Sequence, residues 1–423
     1  MYIIFSWVSY NKTYIVTIVS LIHDCEGASV TIENKAIYMD NSATTPIRKE
    51  VVEEMLPYMT ENFGNPSSIY EIGKISKHAI DKARKKVADA LGAEESEIYF
   101  TSGGTESDNW AIKGIAFANR SKGKHIITSS IEHHAVLHTC AWLEGQGFEV
   151  TYLPVDKYGM VSSEELKKAI RDDTILISIM LANNEIGTIQ PVEKIGKIAK
   201  ENRIYFHTDA VQAIGHVPID VKKMNIDLLS LSGHKFEGPK GCGALYIRNG
   251  TKIDPFLHGG AQERKRRAGT ENVPAIVGLG KAIELVTAEI EESNKTLLEL
   301  RERLIKNLLI IPKTHLNGHP TQRLANNVNV TFEYIEGESL LLLLNAKRIF
   351  ASTGSACNSS SLEPSHVLTA CGVPHEIVHG SLRLSLGRMN SKKDVDRVLE
   401  VLPEIVQKLR NMSPLTPKEY RTI

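Results

Sequence analysis

The sequence predicts an α/β fold: a large domain whose mostly parallel sheet is sandwiched by helices, followed by a smaller α/β domain at the C-terminal end. Three observations lead there. Short apolar strands alternate with segments of helical period from about residue 97 to residue 208, the mark of βαβ units. Thr174 to Leu181 is apolar almost throughout, as a strand covered on both faces must be. After a long helical stretch, Ala275 to Leu309, strand and helix signals resume. The chain has 423 residues, enough for more than one core. Its divisions read as an atypical N-terminal extension over 1–35, a large domain over 48–290, and a small domain built from 36–47 together with 291–423.

Taken in order, Tyr2 to Ile22 is largely apolar and β-branched, but Ser9 to Thr13 interrupt it. It therefore fits neither a spanning helix of about 20 apolar residues nor a signal peptide with a basic start and a small-residue cleavage site. Ile37 to Pro46 is a short strand ending in polar turn residues, and Arg48 to Met59 has helical spacing. Asn62 to Lys74 is a Gly/Pro/Ser loop feeding a helix through Val87 and Leu91. Strand Glu97 to Thr101 precedes helix Thr105 to Asn119, and strand Lys124 to Ser129 precedes helix His134 to Leu143. After strand Phe148 to Leu153, Ser162 and Glu165 stand at capping-box spacing. Helix Val192 to Asn202, strand Arg203 to Thr208, strand Asp227 to Leu231 and strand Cys242 to Arg248 complete the large domain. In the small domain, strands Asn326 to Glu333 and Leu382 to Leu386 come before a helix from Lys392 to Leu409.

Composition narrows the function classes. With 42% hydrophobic and 24% charged residues, and 50 basic against 50 acidic, the chain has no net charge that would draw nucleic acid or an anionic membrane. Small molecules are the expected ligands. The five cysteines, Cys25, Cys140, Cys242, Cys357 and Cys371, lack CxxC spacing, which argues against a disulfide framework or zinc site and for a reducing compartment.

Candidate chemistry gathers where strands end, the place where open α/β sheets bind ligands. Lys235 stands in SLSGHKFEGPKGCG, between an apolar strand and a glycine-punctuated turn. A lone lysine there is ordinarily solvated. An aldehyde cofactor, however, needs an amine nucleophile, a phosphate clamp and a carboxylate aimed at its ring nitrogen. Gly103, Gly104 and Thr105 open a helix whose N-terminus is an anion site, and Ser232 and His234 flank the lysine as the other half of a clamp. Asp209 ends a strand, where it reads either as an N-cap or as the ring-nitrogen partner. Gln212 or Asn184 would then bond the ring's phenolic oxygen, and His133 in IEHHAV is placed to stack on the ring. Cys357 lies in a run of small polar residues, exposed as a thiolate nucleophile requires, whereas Cys140 and Cys242 have apolar neighbours and read as packing. Arg383 sits in an apolar strand, where a cation needs a carboxylate such as that of an amino acid substrate. The basic run Arg264 to Arg267 reads as a solvated loop in preference to a docking patch for an acidic protein.

In family order, the segments DNSATTP, NPSS, SGGTESDN, EHHAV, NNEIG, DAVQ, SGHKFEGPKG, GTEN, GSACNSSSLEPS and SLRLSLGR make the chain resemble a cysteine desulfurase. These are class V aminotransferase enzymes that depend on pyridoxal 5'-phosphate, and the likeness runs from about Ile37 to Leu409. The resemblance implies the fold type I of pyridoxal-phosphate transferases and conversion of L-cysteine to L-alanine, with sulfur passed on as a persulfide on Cys357. It implies that Lys235 forms the Schiff base and moves protons, that Gly104, Thr105, Ser232 and His234 hold the phosphate, and that Thr270 reaches it from the other subunit of a homodimer. Asp209, Asn184 and Gln212 would set the ring, His133 would stack and assist protonation, and Arg383 would bind the substrate carboxylate. An iron-sulfur scaffold or other sulfur acceptor is the implied partner, with no nucleic acid, no membrane and a cytoplasmic setting. No intrinsic metal is implied, though Cys357 could contact an iron-sulfur cluster transiently. A transaminase or a selenocysteine lyase on the same scaffold, and a non-catalytic sulfur scaffold, are the competing readings. Tyr70 stands where the family usually has histidine, and the first 35 residues have no counterpart in the family's pattern.

Overall fold

A computed structural model of the chain describes residues 36–353 and 364–421, and Ile37–Ile423 form one compact unit. The main sheet has seven strands: β2 (Ile98–Thr101), β3 (His125–Ser129), β4 (Glu149–Leu153), β5 (Thr174–Ser178), β6 (Tyr205–Asp209), β7 (Leu228–Ser232) and β8 (Gly243–Ile247). Their spatial order is β2-β8-β7-β6-β5-β3-β4. Only β8 runs against its neighbours, pairing antiparallel with both β2 and β7. The other six strands therefore point the same way, and their C-terminal ends form one edge. The middle strands β3, β5 and β7 are buried at every position, which explains their continuous apolar runs. One core, containing Ile177, Phe206, Leu229 and Leu231, covers one face with helices Glu71–Leu91 and Val273–Ala288. A second, centred on Trp110, Ile126 and Leu245, covers the other with helices Gly104–Asn119 and His134–Glu144.

A third core is separate. It gathers Val328, Val330, Leu382, Leu384, Val398 and Leu402 around a small antiparallel sheet in the order β12-β10-β9, made of β9 (Thr314–Leu316), β10 (Asn327–Phe332) and β12 (Ser381–Ser385). Helices Ile290–Leu308 and Lys392–Met412 pack on it. At the start of the unit, β1 (Ile37–Tyr38) pairs in parallel with β11 (Ile349–Phe350), so the first strand belongs spatially with the C-terminal elements. Among the described residues no helix is long and apolar enough to cross a membrane.

Three expectations change. The long helix expected over Ala275 to Leu309 is two, broken at Glu289, whose φ −97° and ψ 2° leave the helical region and whose carboxylate pairs bidentately with Arg48. The helix expected over Arg48 to Met59 divides at Pro57, which lacks the N–H that would continue it. The basic loop is pinned. Arg264 lies 4.0 Å from the centre of the Tyr99 ring and donates to the Ile98 carbonyl, and Arg267 pairs with Glu106 at 2.9 Å. The buried Arg84–Glu263 pair, at 2.7 Å, anchors the loop's entry.

The antiparallel β8 starts close against the turn after β2. A Cβ on Gly243 would stand 2.5 Å from the Leu231 carbonyl and 2.7 Å from the Gly103 Cα, so nothing larger than glycine fits between β7 and the turn after β2. Gly243→Ala should cost roughly 1–3 kcal/mol of stability and lower the urea midpoint of unfolding; a wild-type midpoint would show that these backbones yield freely.

Candidate active site

At the C-terminal edge of the sheet, the turn after β2 opens helix Gly104–Asn119. Gly103 has φ 151° and ψ −174°, a conformation essentially restricted to glycine, which lets the chain turn sharply into the helix N-terminus. A cleft of about 390 Å³ lies there, and Gly104, Thr105, Ser232 and His234 all line it. Hydroxyls, backbone amides and the positive end of a helix converge on this cleft, which suits an anionic group. Burial first, and then the charges of Lys235 and Lys240, hold the His234 imidazole down at about 4, so it is neutral, with Nδ1 against the Thr44 hydroxyl at 3.1 Å.

Lys235 ends a short 3₁₀ turn directly after β7. Its Nζ donates to the carbonyls of Ser42 and Ala43 at 2.5 and 2.9 Å. Asp209, the last residue of β6, is buried at 6% exposure and accepts from the Val211 amide at 2.8 Å. Burial raises its carboxyl, while the Val211 amide and the Lys235 charge pull it back toward ionisation. Gln212 donates to the Ser42 carbonyl at 2.9 Å, so the strand-end aspartate and the lysine share one neighbourhood with that turn.

His133 caps helix His134–Glu144, and its Nδ1 accepts from the Ala135 amide at 3.1 Å. That bond fixes the tautomer: the ring proton sits on Nε2. Burial, with Lys235 next, lowers the imidazole to about 4, so His133 is neutral over the whole physiological range. Arg383 lies in β12 at 3% exposure. Its Nη1 donates to the Asn184 carbonyl at 3.0 Å and its Nη2 to the Asp40 carboxylate at 2.8 Å, while the buried Nε has no partner among the described residues. A buried guanidinium with an unsatisfied edge is suited to receive a carboxylate. The chain thus brings together Lys235, Asp209, Gln212, His133, Asn184, Arg383 and the cleft residues. Thr270 is exposed and outside its own chain's cleft, and Cys357 lies outside the described residues.

These residues fit pyridoxal phosphate. The cleft suits its phosphate, the buried Asp209 carboxylate suits a protonated ring nitrogen, and the Lys235 amine suits its aldehyde. Comparison with known proteins agrees: the family described as aminotransferase class-V matches residues 37–398. The chain belongs to the class-V aminotransferase family. Members of this family use pyridoxal phosphate, and so does this class-V chain. It is 89% identical over 402 residues to a curated cysteine desulfurase IscS of Methanosarcina thermophila, across 95% of this chain and 100% of that one. The shared stretch therefore reaches into the first 35 residues, which the family's own match does not. A solved NifS-like protein aligns with TM-score 0.84 at 43% identity, over 89% of this chain and 100% of its own. A solved SspA in complex with cysteine aligns with TM-score 0.75 at 43% identity, over 83% and 98%.

Several groups at this class-V site escape sequence reasoning. Asp40 and the carbonyls of Ser42 and Ala43 carry no chemical signature beyond a polar turn after a strand. Asp108 and Glu132 are acids in the company of apolar residues, and both are buried. Burial pushes Glu132 up to about 8, although the Ser129 hydroxyl and the Met180 amide bind its carboxyl; the nearby Asp209 charge adds to the rise. Burial also raises Asp108 well above the usual carboxylate range, with Asp209 adding to it. An acidic residue three places after a strand, aligned with the strand-end aspartate, is the only signal that could have marked Glu132.

Glu132 makes stability depend on pH. Unfolded, its carboxyl titrates near about 4.3; folded, near about 8. Through that window the native state holds the extra proton, so its stability falls as pH rises. Glu132→Gln removes the titration, and its thermal midpoint should gain steadily on wild type between pH 5 and pH 8. A gap that does not change with pH would mean Glu132 ionises at an ordinary value.

Proposed function

We propose that this chain is a cysteine desulfurase that converts L-cysteine to L-alanine and carries the sulfur as a persulfide on Cys357, for iron-sulfur cluster assembly or other sulfur transfer. The observation that carries the reading is the meeting of the Lys235 amine, the Asp209 carboxylate and the Arg383 guanidinium at one edge of the fold, in a chain so alike a curated desulfurase. When bound, pyridoxal phosphate supplies an electron sink that acidifies the Cα–H of an amino acid.

The chain's own residues do the rest. Arg383 receives the substrate α-carboxylate on its buried guanidinium, which fixes the direction of the Cα–H bond. Lys235 Nζ takes the Cα proton and returns it, with the carbonyls of Ser42 and Ala43 positioned to hold it as an ammonium between transfers. His133 presents an Nε2–H as a neutral donor. The Cys357 thiolate attacks the substrate sulfur. An S–S bond forms as the C–S bond breaks, and the released electron pair stays on carbon, where a proton completes alanine. Cys140 and Cys242 cannot substitute, because burial pushes both thiols up to about 12.

Further assignments complete the reading. Residues 48–290 form the cofactor domain, and 36–47 with 291–423 the smaller one, supported by their separate hydrophobic cores. A homodimer is supported by the exposed apolar run Leu56, Met59, Phe63, Ile69 and Tyr70, with Phe63 69% and Ile69 87% exposed, and by Thr270, which is exposed and outside the lining of its own chain's cleft. The cytoplasm suits the thiol usage, and an iron-sulfur scaffold or another sulfur-acceptor protein would take the persulfide.

Purified protein supplied with L-cysteine should form alanine and a protein persulfide in equal amounts. Cys357→Ala should abolish sulfur release while the bound cofactor's absorbance is retained. Desulfuration of free cysteine that survives this change would overturn the role of Cys357, and a variant that still exchanges amino groups would point to a transaminase.

A further inference from the structure

The polar turn Asp40–Thr45 touches both ends of the site. Its first residue holds Arg383 at 2.8 Å through a carboxylate, and its middle carbonyls, those of Ser42 and Ala43, hold Lys235 Nζ. The turn itself is tightly tied. The Tyr38 hydroxyl donates to the carbonyls of Asp40 and Thr44 at 2.9 and 2.8 Å. Asn41 Nδ2 donates to the Ser385 carbonyl and the Ser42 amide to the Ser385 hydroxyl, both at 2.8 Å. Thr45 binds the His234 carbonyl through both its amide and its hydroxyl, at 2.9 Å each. A displacement at one end of so short and closely bonded a segment is felt at the other.

We propose that Asp40 is a positioning residue that orients Arg383 for the substrate carboxylate, and that the Asp40–Thr45 turn couples this placement to the hold on the Lys235 amine. The inference rests on the desulfurase reading of Arg383. Arg383 is buried, and Asp40 is its ion-pair partner among the described residues. With Nη1 on the Asn184 carbonyl and Nη2 on Asp40, the guanidinium plane is fixed and its Nε edge is left for a ligand. Loss of the Asp40 charge frees the plane to rotate, so a bound carboxylate no longer meets a pre-set fork. Among the described residues, Asp209 at the end of β6, His133 at a helix start and the adjacent His234 face Lys235, and the two imidazoles are neutral. Asp209 and the turn's two carbonyls thus contribute to the hold on the amine.

The test uses the holoenzyme and L-alanine, which lacks the sulfur that Cys357 attacks, so its binding is read even if the sulfur chemistry proves wrong. Alanine binding is followed by the absorbance of the bound cofactor, and the pH midpoint of that absorbance is followed without amino acid. Asp40→Asn should weaken alanine binding about tenfold, the loss of one charge-assisted contact. It should raise KM for cysteine more than it lowers kcat, and move the pH midpoint downward, because the protonated form of the nitrogen that Lys235 supplies to the cofactor loses support. Tyr38→Phe loosens the turn and leaves the Asp40 charge in place; it should move the pH midpoint the same way by a smaller amount. Alanine binding by Asp40→Asn that is unchanged or tighter overturns the positioning role, since it would make Asp40 a bystander or a competitor. A midpoint unmoved in Tyr38→Phe overturns the coupling through the turn. Melting temperatures near wild type in both variants confirm that the changes are local.

Discussion

A buried positive charge needs a partner, and in this protein that need ties the two halves of the site together. Arg383 is buried on the small sheet, where an unpaired guanidinium would cost several kcal/mol. Asp40 supplies the carboxylate, yet Asp40 belongs to a segment whose other end lies against β7 and Lys235. Satisfying one charge therefore ties the Arg383 guanidinium to the segment that holds the Lys235 amine. The hydrogen bonds of Asn41 and Ser42 to Ser385 brace the turn against the strand that carries Arg383.

The surroundings of Asp209 follow the opposite rule: charge is removed wherever it is not needed. Behind it, His207 sits between the hydroxyls of Ser178 and Ser230 at 2.8 and 3.0 Å, and burial holds its imidazole down at about 3. Asp108 and Glu132 are raised toward their neutral forms by burial and by Asp209 itself. The Asp209 carboxyl itself is pulled toward ionisation by the Val211 amide and the Lys235 charge. In a medium of low polarity, a charge there would act on a bound ring nitrogen with little screening. The neutral His133 follows the same pattern, offering a hydrogen without adding a cation beside the lysine.

Much of this was legible in the sequence, and the reason is physical. Strands buried on both faces must be apolar throughout, so β5 and β7 announce themselves, and residues that handle an anion must stand at strand ends and helix starts, as Gly104, Thr105, Ser232 and His234 do. What failed depended on distant partners. The break at Glu289 is held by Arg48, far away in sequence, and nothing in the local helical period signals it. The two-residue strand β11 exists only because it meets β1, and it is too short to carry a pattern. Arg264 and Arg267 look solvated in a line of basic residues until Tyr99 and Glu106 are brought beside them. Asp40 is a polar turn residue by its neighbours and acquires a role only once Arg383 arrives.

The pairing of β1 with β11, and of Asp40 with Arg383, bears on how the protein is made. The earliest described strand waits for partners that leave the ribosome more than three hundred residues later. The seven-stranded core can collapse while the chain is still growing, and Thr45 can seat on His234 with it, but the strap bearing Ser42 and Ala43 is not braced at Ser385 until β12 emerges. The surroundings of Lys235 are thus completed only at the close of translation, and a nascent chain cut short before β12 would carry the Lys235 amine without the Arg383 guanidinium.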